Sequence, residues 1–228
     1  MTTKLQSIKK GSQIIDQIFW ELFDILRTRK NLTELTLARF IRRRAKQLGA
    51  EGQAFPPIVA FGKNSSEIHH FAGSTKIGKN NFLMFDYGVK VNGYCSDFTR
   101  TIFLGKPTKF HEKIYNIVLK AQKAAIKKVK SNAISGKVDF TARTIITRSG
   151  YATRFNHGTG HGVGKKIHEL PNFKPNTQDR IEKNTVVTVE PGIYLPGKFG
   201  VRIEDMILVG PNKIYSKIPK DFQSMIIS

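Results

Sequence analysis

Two aspartates, one histidine and two glutamates, scattered over more than half of the chain, make an oxygen-rich set suited to Mn²⁺-like divalent ions. They sit in four short runs: DYGVKVNGYCSD from Asp86 to Asp97, GHG around His161, TVEPG around Glu190, and VRIED, which ends in Glu204 and Asp205. Any one of these acids alone belongs on a solvated face. All five in this order, flanked by glycine and proline, point to hydrolysis at a site holding two metal ions.

The first run can be folded on paper. Asn92-Gly93 is a two-residue hairpin turn, because both positions tolerate φ > 0. It sets Val91 opposite Tyr94, Gly88 opposite Asp97 and Asp86 opposite Thr99, so Asp86, Asp97 and Thr99 share one face. Gly88 is expected to leave open space beside Asp97. Facing carboxylates repel unless divalent ions lie between them. An exposed acidic hairpin would not explain the apolar approach Phe82-Leu83-Met84-Phe85 or the lack of lysine partners on that face. Thr99 suits either fixing a water or a structural role. Asp205 points away from Glu204 and reads as structural; Cys95, with no second cysteine in the chain, reads as packing.

Four of the six histidines fall in two places: His69, and the cluster His157, His161 and His168 in HGTGHGVGKKIHELP. The interleaved glycines allow backbone and ligands to approach where side chains would obstruct them. His70 and His111 read as satisfied structural residues.

These residues need a scaffold that repeats. Ile14, Ile15, Ile18, Phe19, Leu22 and Leu26 have helical spacing. A second helix starts after the N-cap Thr33 and stops at Gly49. Strand-like runs follow at 58–61, 82–91 and 94–104. The second half repeats the order: a helix capped by Thr108, another from about Asp139 to Ser149, then strands near 185–190 and 201–209. Each half thus reads helix, helix, strands, with a carboxylate pair on the strands. The pattern predicts a pseudo-twofold sheet, helices outside and the site between the halves.

The segments FPPIVAFGKNSSEIH ending at His69, DYGVKVNGYCSDFTRT from Asp86, HGTGHGVGKKIHELP from His157, VEPG around Glu190 and GVRIED ending at Asp205 resemble the motifs of the pita-bread metallopeptidases. That family comprises methionine aminopeptidases, Xaa-Pro aminopeptidases, prolidases and creatinase, and the resemblance runs over residues 33–209. It implies an α+β fold with a curved antiparallel sheet and helices on its outer face. It implies that Asp86, Asp97, His161, Glu190 and Glu204 ligate two divalent ions, Mn²⁺ first, with Co²⁺, Zn²⁺ or Fe²⁺ as substitutes. His69, His157 and His168 would line the substrate pocket, with Glu190 as general base or proton shuttle, His168 donating to the oxyanion, and His69 near the scissile amide. His157 and Arg202 match the Xaa-Pro branch and would orient the peptide. The expected activity is release of the N-terminal residue from Xaa-Pro peptides. A methionine aminopeptidase is the alternative, favoured by the compact length. A catalytically silent peptide- or nucleic-acid-binding relative is a third reading, against which the retention of all five ligands and His168 argues. Little chain precedes the first motif, so residues 1–228 are expected to form one catalytic domain without the additional N-terminal domain usual in Xaa-Pro enzymes.

Bulk properties bound the rest. With 228 residues, 39% hydrophobic and one cysteine, the chain can bury a large core and forms no internal disulfide. No signal peptide or membrane span is legible, so a cytoplasmic protein without membrane contact is expected. The net charge of +21 makes polyanion or ribosome contact a secondary expectation, since the cations are dispersed rather than interleaved with stacking aromatics. Oligomeric state is not legible.

Overall fold

Apolar residues at helical spacing give four long helices in the computed structural model, which describes residues 3–228: α1 (Thr3–Thr28), α2 (Glu34–Gln47), α3 (Lys109–Ile126) and α4 (Ser135–Arg148). α1 buries the Ile14, Ile15, Ile18, Phe19 and Leu22 stripe, and α3 buries Ile114, Val118, Ala121 and Ala125. Thr33 caps α2 as expected, its Oγ1 accepting from Thr36 N at 3.1 Å while Thr36 Oγ1 accepts from Thr33 N at 2.9 Å. Thr108 and His111 form the same reciprocal cap on α3, which accounts for His111 structurally. α4 begins earlier than the expected start near Asp139. No side chain caps it; instead Ser135 N donates to Asp179 O at 2.9 Å, a tertiary contact invisible to local propensity.

The hairpin register is the predicted one. Strand Asn81–Asp86 pairs antiparallel with Thr99–Leu104, placing Asp86 opposite Thr99, and Val91 faces Tyr94 across the Asn92-Gly93 turn. The strands are not continuous, however. Pairing passes from a four-stranded sheet into a separate three-stranded one that contains Val89–Val91 and Tyr94–Cys95, leaving 87–88 and 96–98 between them. Gly88 does not leave open space: a Cβ there would lie 2.0 Å from Ser96 O, so the glycine admits the neighbouring backbone.

The second half behaves alike. Val186–Val189 pairs antiparallel with Asp205–Leu208 in a five-stranded sheet, Val189 opposite Asp205. The expected run 201–209 is divided at Ile203-Glu204, and Phe199–Arg202 pairs instead with Gly192–Leu195. One pair departs from the antiparallel expectation: Ile226–Ile227 lies parallel to Phe103–Leu104. The main core joins residues of all four helices to the two larger sheets. Strand ends from both halves are thereby held rigidly where their carboxylates can meet.

Candidate metal centre

Breaks in the strands aim the acids. Asp86 closes its strand, Asp97 lies in the gap before Thr99, Glu190 follows Val186–Val189 directly, and Glu204 fills the gap before Asp205. His161 lies on strand Gly160–Val163, where Gly160 and Gly162 let the neighbouring backbone close in; a Cβ at Gly160 would be 2.1 Å from Thr188 O. All five line one cleft of about 670 Å³, together with His69, His157, His168 and Arg202. The cleft therefore gathers every residue expected to hold metal, substrate or a catalytic role. Phe55, Pro56, Ile58, Ile68 and Phe71 supply its apolar wall.

Donor atoms of Asp97, His161 and Glu204 lie within 4.8 Å of one another, a group able to hold a metal ion. His161 Nε2 is 3.3 Å from Glu190 Oε1 and 3.6 Å from Asp97 Oδ2. Its Nδ1 donates to Gly162 O at 3.0 Å, which fixes the ring and leaves Nε2 facing the acids. Thr99 Oγ1 donates to Glu204 Oε2 at 2.7 Å, so this threonine holds a carboxylate of the site. Glu204 Oε1 is buried and has no hydrogen-bond partner among the described residues. A buried carboxylate oxygen left bare is costly. Burial, then the Asp97 and Glu190 charges, push the Glu204 carboxyl well above its ordinary range; burial and then Asp86 do the same to Asp97. Burial opposes charge on His161 and Glu190 too, but their mutual bond wins, taking His161 up to about 9 and Glu190 down to about 2. Four crowded carboxylates, a bare oxygen and one oriented imidazole fit hard divalent cations.

Two features escaped the sequence reading, the first being the contact by which Arg202, expected to orient the peptide, holds Asp86. Arg202 is buried and forms an ion pair with Asp86 through Nη2. It also donates through Nη1 to Tyr194 Oη at 2.7 Å and through Nε to Thr99 Oγ1 at 3.3 Å. Tyr194 is the second; its hydroxyl donates to His157 Nε2 at 2.8 Å, while His157 Nδ1 donates to Gly158 O at 2.7 Å. Burial holds His157 neutral, down at about 4, which suits that chain of donors. The only local signal for Tyr194 was its place just beyond the Glu190 run. α4 anchors the His157 segment: Arg143 donates to Phe155 O and His157 O, both at 2.8 Å, and Asp139 Oδ1 accepts from Thr159 Oγ1 at 2.8 Å. Asp205 points away from the cleft, as expected, and pairs with Arg100 at 2.6 Å. Cys95 is buried, its Sγ 3.4 Å from Lys165 O.

Residues 6–211 match metallopeptidase family M24, and the chain belongs to that family. It is 36% identical over 206 residues to an uncharacterized peptidase of Staphylococcus aureus strain USA300, covering 90% of this chain and 58% of the relative. An uncharacterized peptidase of Staphylococcus saprophyticus is 37% identical over 210 residues, covering 92% and 59%. The chain thus spans less than two thirds of the length of these relatives. Among solved structures, a Xaa-Pro dipeptidase from Bacillus anthracis superposes with a TM-score of 0.94 at 36% identity, over 100% of this chain and 63% of that one. An X-Pro aminopeptidase from Thermotoga maritima gives 0.92 at 32%, over 98% and 63%. The fold is the pita-bread fold of this family. Among the described residues no helix is long and apolar enough to cross a membrane.

Proposed function

We propose that this chain carries the catalytic centre of a dinuclear-metal aminopeptidase that releases the N-terminal residue of Xaa-Pro peptides. The supporting observation is the convergence of four carboxylates and the Nε2 of His161 in one cleft, with Glu204 Oε1 bare. Asp86, Asp97, His161, Glu190 and Glu204 would hold the two ions, Mn²⁺ foremost, with Co²⁺, Zn²⁺ or Fe²⁺ as substitutes. Bound there, the ions would make a bound water acidic and polarise the scissile carbonyl.

The chain's own groups perform the rest. Glu190 takes the proton of the attacking water and passes it to the leaving amine. His168 donates to the developing oxyanion; its ring sits edge-on to His161, centroids 4.4 Å apart. His69 contacts the substrate near the scissile amide. Both nitrogens of His157 are already bonded, so it meets the peptide with its ring edge, while Arg202 orients the site by gripping Asp86 and Tyr194. A bond to proline has no N–H, so ring shape and peptide orientation must be recognised instead, and the apolar wall from Phe55 to Phe71 offers such a surface.

The test compares kcat/KM for Ala-Pro-Ala, Ala-Pro and Met-Ala-Ser under identical Mn²⁺ loading. Ala-Pro-Ala is expected to be cleaved best. Preference for Met-Ala-Ser would make the protein a methionine aminopeptidase, and strong preference for Ala-Pro would make it a dipeptidase.

A further inference from the structure

Between Ile68 and Phe71, two residues of the cleft wall, the His70 side chain reaches two carboxylates. Its Nε2 lies 2.9 Å from Glu34 Oε2 and its Nδ1 lies 2.9 Å from Glu67 Oε2. With both carboxylates ionised, each only accepts, so both ring nitrogens carry protons and the ring is an imidazolium. Glu34, the first residue of α2, is fully buried. It also accepts from Phe61 N at 2.7 Å, Asn64 Nδ2 at 2.9 Å and Gly73 N at 3.2 Å. One carboxylate therefore binds the chain on both sides of the segment that presents His69 and Phe71. That segment, 67–73, has no helix or strand of its own, and Phe71 is 81% exposed at the rim, a large apolar side chain with nothing covering it.

We infer that His70 is a positioning residue: as a cation gripped by Glu34 and Glu67, it fixes segment 67–73 so that His69 and Phe71 stand in the cleft wall. The effect on catalysis rests on the peptidase reading; the clamp itself does not. The charged groups facing the ring are Glu34 from α2 and Glu67 from the segment itself; from the sheet, Arg202 Nη1 reaches Ile68 O at 3.4 Å. Burial opposes the charge on His70, but the bonds to Glu67 and Glu34 outweigh it and raise the imidazole above its ordinary range. A histidine raised in this way stabilises the fold fully below its unfolded pKa, and that contribution is lost as pH rises through the folded value. Neutral His70 must give up one of its two bonds, and the segment then loosens.

The test begins without activity, on metal-free protein labelled with ¹⁵N-histidine. At neutral pH the resonances lost in His70→Gln are expected to show both ring nitrogens protonated; a neutral tautomer there overturns the inference. In the metal-loaded enzyme, His70→Gln is expected to lower kcat/KM by about tenfold or more at unchanged metal content, as misplaced contacts do. His70→Arg, which keeps the charge and two donors, is expected to recover most of that loss; equal losses in both variants would contradict positioning by charge. Should neither variant fold, Glu67→Gln at an exposed position decides. It should lower the pH at which His70 loses one of its two ring protons and at which the Gly73 amide begins to exchange faster, and an absence of both shifts overturns the clamp. If the wild type cleaves no peptide while the spectrum and amide behave as described, the peptidase reading fails and the clamp stands.

Discussion

Glu204 Oε1 is the atom on which the metal reading turns, because a buried, crowded carboxylate oxygen without a donor calls for a cation. Glu204→Gln or Asp97→Asn is therefore expected to lower metal content and activity together, measured by metal analysis of the purified variants. His168→Ala should behave differently, keeping its metal while kcat falls by about 10²-fold, as for loss of an oxyanion donor. Loss of metal in that variant would mean that His161 is not the only histidine ligand. Protons compete for the same site. Without metal, His161 holds its proton up to about 9. Metal affinity should then rise with pH from neutral towards that value and fall in acid, with proton release on binding seen by calorimetry in two buffers. At this scale the acids and histidines were legible because their types and spacing carry the chemistry. The grip of Arg202 on Asp86 and Tyr194 was not, since it joins positions far apart in sequence that only the topology brings together.

At the scale of elements, helices place the site without touching it. Arg143 on α4 holds the carbonyls of Phe155 and His157. Arg143→Ala should thus lower kcat/KM by about tenfold at constant metal content, since small misplacements of a binding segment are expensive. Thr108→Ala, by contrast, removes the cap of α3, a helix with no residue in the cleft. It should cost about 1 kcal/mol in denaturant unfolding and leave kcat unchanged. Helix starts were legible wherever a threonine side chain made them, at Thr33 and Thr108, and missed at α4, where Asp179 fixes the start. Strand register was legible from the Asn92-Gly93 turn, whereas the breaks at 87–88 and 203–204 were not. Those breaks depend on backbone packing such as Ser96 against Gly88, which no periodicity records.

For the whole molecule, two half-chains of like plan bring strand ends together, so neither half holds the site alone. The excess of 38 cationic over 17 acidic residues gives the chain a net positive field. Peptides with an acidic residue beyond the proline should show kcat/KM falling more steeply with added salt than neutral ones, as screening shortens the reach of the field. Under the proposed function, five residues from both halves hold two divalent ions which hydrolysis requires. The decisive measurement is titration of metal-stripped protein with Mn²⁺, read by bound metal per chain alongside cleavage of Ala-Pro-Ala. Two equivalents bound, with activity appearing on loading and vanishing on chelation, is the predicted result; undiminished hydrolysis after exhaustive chelation, or saturation at fewer than two ions, would contradict it.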